Sequence, residues 1–367
     1  MENGITKKQS AILQGIAAWM LVYHHMYSYT ETYSSLLPFM QVAVVQRIGW
    51  FCKICVGIFA FVSGYGMYRV MNRKPAERFF GRMIEEYRHV FVRILRLYGK
   101  LWLVILIFKG IDFLILGRQF AAEELWGNLT AFQPTWNGAW WYVEQYAKML
   151  LALPFLDLLL TRFERQEEKK KWIFFLALAG VALIGILLSP VLYELLLAAA
   201  KGMRPSFSLI FIVGYIISRY GLYRRIDKML KRGGVCLSVC LSVVLVCVAI
   251  AVRVLSATDA AWGELDFLLV PVLAYGMLVL LDYVKPLGVF WAWWGERSTY
   301  IWLTHIFFIG WLFQLVSRYV RLDILAYLAM MLFSVMAAML LKGVETGMQK
   351  GVLRLLKKNK RGTGRSD

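Results

Sequence analysis

His24 and His25 stand side by side in a stretch, residues 9–30, that contains no Asp, Glu, Lys or Arg. An imidazole that is neutral near pH 7 can take a proton from a hydroxyl or, as a second possibility, carry an acyl group. Gln14 precedes His25 by eleven residues. That is about three helical turns, so both share one face with roughly 16 Å between them along the axis. Such a spacing suits a long ligand laid along a helix rather than a compact site. His24 points about 100° away and is the second choice.

Other residue types extend the chemistry. In Ser63-Gly64-Tyr65 glycine permits close backbone approach and Ser63 can orient a reacting group, although packing explains the triplet equally. Arg93 and Arg96 offer guanidinium forks of the kind that grip phosphates; basic residues flanking a membrane helix look the same. Lys109 with Asp112, and Glu144 with Lys148, have the spacings of paired charges on a helix. An unpaired charge at mid-bilayer costs about 2.5–3.5 kcal/mol, so pairing has a structural motive. His305, in STYIWLTHIFF, fits a structural or a functional role. Residues 136–146, WNGAWWYVEQY, read as an interfacial aromatic belt or as a platform on which sugar C–H faces stack, with Trp140, Trp141, Tyr146 and Glu144 as contacts. Cys52 and Cys55 form a CxxC with no second Cys or His pair, so no metal site is expected; Cys236, Cys240 and Cys247 lie on an apolar stretch and suit packing.

The elements that must position these residues are membrane helices. Hydrophobic residues make up 60% of the 367-residue chain, and apolar blocks recur from residue 10 to residue 341. That pattern excludes a soluble helical protein and gives an all-α polytopic membrane protein with about ten spans. They fall near 10–29, 50–71, 90–116, 140–161, 172–188, 206–221, 234–255, 265–284, 298–317 and 322–341, with 190–200 at an interface. No small-x-small cleavage site follows Val22, so the first segment reads as a retained helix. With the N-terminus inside, 32 of the 42 Lys and Arg fall in cytoplasmic segments and 9 in outer loops or outer span halves. This bias puts both termini in the cytoplasm. The net charge of +19 therefore faces anionic lipid and cytosolic anions rather than nucleic acid. Residues 1–345 form the membrane domain. Residues 346–367 form a basic tail that starts as an amphipathic helix, GVLRLLKKNKR, suited to a membrane surface. No internal repeat is visible, which disfavours transporters built from duplicated halves.

Several of these segments together resemble a known family. Gln14-Gly15-Ile16-Ala17 followed by His25 resembles the first helix of membrane-bound acyltransferase family 3, whose usual form is Leu-Arg-Gly-(Ile/Leu)-Ala, then apolar residues and a His. The run from Val56 to Tyr65 resembles its second-helix pattern ending in Ser-Gly-Tyr. Arg93-Ile-Leu-Arg96-Leu-Tyr98 resembles its Arg-x-x-Arg entry to the third helix. Trp140-Trp141-Tyr142, with Tyr146 and Pro154, resembles its Trp-rich fourth helix, and Gly295 through His305 its Gly-x-x-Ser-x-x-Ile-Tyr-Leu-x-His ending. The resemblance spans about residues 5–345. Gln14 replaces the family's usual Arg, and Phe59-Ala60 its Phe-Phe pair.

The resemblance implies transfer of an acyl group, acetyl foremost, from cytoplasmic acyl-CoA to a hydroxyl of an extracytoplasmic or lipid-linked glycan at the plasma membrane. It implies no permanently bound cofactor; acyl-CoA is the donor substrate. Under it His25 and Ser63 are the catalytic candidates, with His24 and His305 behind them. Arg93, Arg96 and Gln14 handle the donor, and Trp140, Trp141, Glu144 and Tyr146 the acceptor. Two alternatives stand beside the enzyme: a transporter or flippase for a glycan or lipid precursor that uses the same polar stripe, and a membrane scaffold, which explains neither the paired histidines nor the buried charges.

Overall fold

The computed structural model describes residues 4–28, 41–71, 79–119, 121–164, 205–256, 263–320 and 322–362. Helices and their connecting turns make up these residues, with no strand among them. In order they are α1 (Lys7–Tyr27), α2 (Val42–Cys52), α3 (Cys55–Met71), α4 (Phe79–Leu114), α5 (Glu123–Thr130), a 3-10 turn (Gly138–Trp140), α6 (Trp141–Glu164), α7 (Pro205–Arg219), α8 (Leu222–Arg232), α9 (Gly234–Ser256), α10 (Asp266–Tyr283), α11 (Lys285–Gly295), α12 (Ser298–Tyr319) and α13 (Asp323–Gly362).

Four described segments are long and apolar enough to cross a bilayer: 42–71, 234–256, 266–283 and 323–351. A fifth is added if α7 and α8, bent by 62° across Gly221, count as one broken span. This is fewer than the ten expected spans. The expected span at 172–188 and the expected interfacial segment at 190–200 lie outside the described residues. The others that fall short are α1, α4 and α6, which carry polar residues that face one another in the interior and are discounted by hydropathy alone, and α12, whose apolar run over 298–313 is under the length needed. The expected span at 50–71 is two helices, with a turn at Lys53–Ile54. Residues 285–295, expected as part of a cytoplasmic loop, are the apolar helix α11.

The sequence makes α1 the organising strut. Thr6 and Gln9 form a capping box that starts it, satisfying two orphan donors. Gly15 then lets α11 lie directly on its backbone: a Cβ at Gly15 would strike the Trp291 carbonyl oxygen, and one at Gly295 the Ala11 carbonyl. Such small-residue contacts are how helices approach closely in lipid. The same device joins α3 to α7, where a Cβ at Gly64 would strike the Phe211 carbonyl and one at Gly214 the Phe61 carbonyl.

Buried charges are paired. Lys109 meets Asp112 at 2.9 Å, and Trp311 Nε1 donates to the same carboxylate at 3.0 Å, which ties α4 to α12. Glu144 and Lys148 pair at 2.5 Å. Arg253 and Asp266, each 1% exposed, pair at 2.7 Å between α9 and α10. Asp157 of α6 accepts from Tyr215 and Arg219 of α7. The helix α13 runs without a break through residue 345 into the basic tail.

Candidate active site

One cavity of about 250 Å³ collects most of the residues singled out by spacing. Helical periodicity explains why. On α1, Gln14, Leu21 and His25 are seven and four residues apart and share one stripe. On α3, Val56, Phe59 and Ser63 do the same, and on α4 so do Arg93, Arg96 and Lys100. Trp141, Tyr142 and Tyr146 close the cavity from α6, and Ser298, Thr299 and Trp302 close it from α12.

The cations sit together on α4. Arg93 Nε donates to the Tyr146 hydroxyl at 2.8 Å, which fixes its guanidinium while leaving its other N–H groups for a ligand. Arg96 is exposed. Lys100 stands 3.9 Å from Glu345 and 5.3 Å from the Tyr300 ring centroid. Gln14 is half-buried on the same cavity wall.

Deeper along α1 lies the imidazole group. His25 lines the cavity, and its ring centroid is 4.9 Å from that of His305 on α12, the planes inclined by 51°. His305 is fully buried. Its Nδ1 lies 2.8 Å from the Trp302 carbonyl and 3.2 Å from the Ile301 carbonyl. Carbonyl oxygens only accept, so Nδ1 carries the proton and Nε2 keeps a lone pair. That Nε2 is buried and makes no hydrogen bond among the described residues. His24 goes elsewhere: its Nδ1 lies 2.9 Å from the Gly49 carbonyl and 2.7 Å from Ser28 Oγ, against α2.

Two expected acceptor contacts, Trp140 and Glu144, are not among the residues that line the cavity. Trp140 is fully buried and donates to the Leu303 carbonyl at 3.0 Å. The 3-10 turn before α6 points it into α12, so it braces the helix that carries His305. Glu144 is held by Lys148 on the flank of α6, away from the cavity lining. Trp302 answers Trp140 by donating to the Ala139 carbonyl at 3.1 Å. The residues that sequence reasoning missed are Lys100, Tyr142, Ser298, Thr299 and Trp302. The stripe at 93, 96 and 100 was a signal for the first; the others follow only from the packing of α6 and α12.

Helices that bury paired charges and a cavity-lining imidazole, beside others apolar enough to span a bilayer, define a multi-pass membrane protein with an internal polar site. Arg93, Arg96 and Lys100 line one cavity together with His25. The family model described as an acyltransferase domain, that of acyltransferase family 3, matches residues 11–343, and the chain belongs to that family of membrane acyltransferases. No curated protein and no solved structure matches the chain.

Proposed function

We propose that the protein moves an acyl group, acetyl foremost, from cytoplasmic acyl-CoA to a hydroxyl of an extracytoplasmic or lipid-linked glycan. The observation that carries this reading is the single cavity in which Arg93, Arg96 and Lys100 share a wall with His25. Gln14 and His25 are about 16 Å apart along α1. The phosphates of coenzyme A would meet the guanidinium forks of α4, and the acyl-bearing arm would run along the α1 stripe. In this reading the α4 cations lie on the cytoplasmic side and His25 in the outer half of the plasma membrane, with both termini cytoplasmic; the charge bias of the loops supports the orientation.

In this reading the acceptor hydroxyl gives its proton to His25 as its oxygen attacks the thioester carbonyl carbon. The new C–O bond forms, the C–S bond breaks, and the proton passes from His25 to the departing thiolate, leaving an ester and free CoA. His305 is a positioning residue. Its Nε2 lone pair, fixed by the α12 carbonyls, can accept the N–H of His25 and so turn the unprotonated nitrogen of His25 to the cavity. Ser63 orients the reacting carbonyl, and Trp141, Tyr142 and Tyr146 give the acceptor sugar aromatic faces. His24, spent on α2, takes no part.

The test is a pair of substitutions in purified protein. His25→Ala should abolish acyl transfer with normal expression and insertion, whereas His24→Ala should retain most of it. Equal, near-wild-type activity in both would remove His25 as the base.

A further inference from the structure

Three helices meet behind the cationic wall of the cavity, and Glu345 of α13 stands at their junction. Its Oε2 accepts from the Tyr300 hydroxyl of α12 at 3.0 Å and lies 3.9 Å from Lys100 Nζ of α4. Its Oε1 accepts from Gln349 Nε2, one turn further along α13, at 3.3 Å. Lys100 in turn stands over the Tyr300 ring, 5.3 Å from its centroid. Tyr300 is buried, so its hydroxyl is a fixed anchor, and the carboxylate it holds is fixed with it.

Lys100 lines the cavity and Glu345 does not. The carboxylate therefore acts on the cavity through Lys100. The two side chains are 29% and 25% exposed, so the pair is solvated, and solvated pairs at that separation are weak. A phosphate, with several acceptor oxygens and its own negative charge, competes with such a carboxylate for the ammonium.

We propose that Glu345 is a positioning residue that sets donor affinity: it is the resident counter-ion of Lys100, drawing the ammonium towards α13 until a phosphate of the donor displaces it. This role rests on the reading of the cavity as the acyl-CoA site. The same exchange runs in reverse when free CoA, which keeps every phosphate, has to leave. Without the carboxylate, Lys100 is free for the phosphate and a like charge is gone from beside it, so CoA binds more tightly. One unit charge about 4 Å away in a water-like setting changes an equilibrium about fivefold.

The experiment measures equilibrium binding of two probes, CoA and pantetheine, to the purified full-length protein in detergent. Pantetheine keeps the thiol arm and lacks the phosphates. E345Q should bind CoA about fivefold more tightly than wild type and should bind pantetheine equally. The K100Q/E345Q double variant should bind CoA no more tightly than K100Q. In turnover, E345Q should lower KM for acyl-CoA by a similar factor with no rise in kcat. Glutamine keeps an acceptor for the Tyr300 hydroxyl, so the fold should survive, which an unchanged melting curve checks. E345D, whose carboxylate is drawn back by one methylene, should show a smaller gain and serves if E345Q fails to fold. Unchanged or weaker CoA binding in E345Q overturns the proposal. So does an equal gain for pantetheine, or a gain that persists when Lys100 is replaced. R96Q separates this role from the donor reading. CoA binding that falls in R96Q yet ignores E345Q overturns the role of Glu345 alone. CoA that binds wild type no better than pantetheine, with R96Q unchanged, overturns the donor reading and the role of Glu345 with it.

Discussion

Arg96 on α4 offers the sharpest quantitative handle on donor binding. It is exposed at the cavity wall and makes no hydrogen bond among the described residues, whereas its neighbour Arg93 holds Tyr146 at 2.8 Å. Arg96→Gln therefore deletes only what Arg96 gives a ligand. A charge-assisted hydrogen bond contributes about 1.5–3 kcal/mol, and each 1.4 kcal/mol is a factor of ten. The KM for acyl-CoA should rise about ten- to a hundredfold while kcat changes little, as lost ground-state binding does. Arg93→Gln should cost more, because the Tyr146 bond goes with it. Tyr146→Phe removes only a neutral partner worth about 0.5–1.5 kcal/mol and should raise KM two- to tenfold at most. High salt should shrink the Arg96 effect more than the Arg93 effect, because exposed charges are screened first. Initial rates of CoA thiol release across a range of acyl-CoA concentrations give all of these. An unchanged KM in both arginine variants would reduce them to topology signals. A loss in Tyr146→Phe as large as in Arg93→Gln would show that the guanidinium matters only for packing.

Two further outcomes test the framework that holds the cavity. Gly64→Leu should abolish the folded protein, because its side chain would meet the Phe211 backbone rather than a movable side chain; Gly66→Leu on the same helix, where nothing lies within 4 Å, should fold and run as wild type in fluorescence-detected size-exclusion. Asp266→Asn leaves Arg253 buried without its carboxylate and should destabilise by about 3–5 kcal/mol, while Arg253→Met with Asp266→Leu together should recover most of the melting temperature; a double variant as unstable as the single one would mean the pair does more than neutralise itself.

The parts of the site that sequence made legible are those set by a single helix. Gln14 and His25 share a wall because α1 is continuous between them, and Lys109–Asp112 and Glu144–Lys148 pair at the spacings that helix geometry dictates. What needed the fold was contact between distant segments. His25 and His305 are 280 residues apart, and only the docking of α12 on α1 brings their rings together. Trp140 and Trp141 are adjacent, yet the 3-10 turn sends one into α12 and the other into the cavity. The segment 285–295 is too short to span and is flanked by Lys285 and Arg297, so it reads as a loop; its role as the partner of Gly15 exists only in the packed bundle. Lys100, part of no motif, completes the stripe of Arg93 and Arg96 only once α4 is seen to line the cavity.

The central claim is that donor and acceptor reach one cavity from opposite faces of the membrane. Purified protein in sealed vesicles, sorted by the accessibility of its C-terminal tail, tests this most directly. Acyl-CoA supplied on the tail face should be consumed, free CoA should remain there, and the acyl group should appear as an ester on a glycan supplied at the other face, all of it lost in His25→Ala. Passage of an intact glycan or lipid without CoA release, or equal consumption of acyl-CoA from either face, would contradict the account.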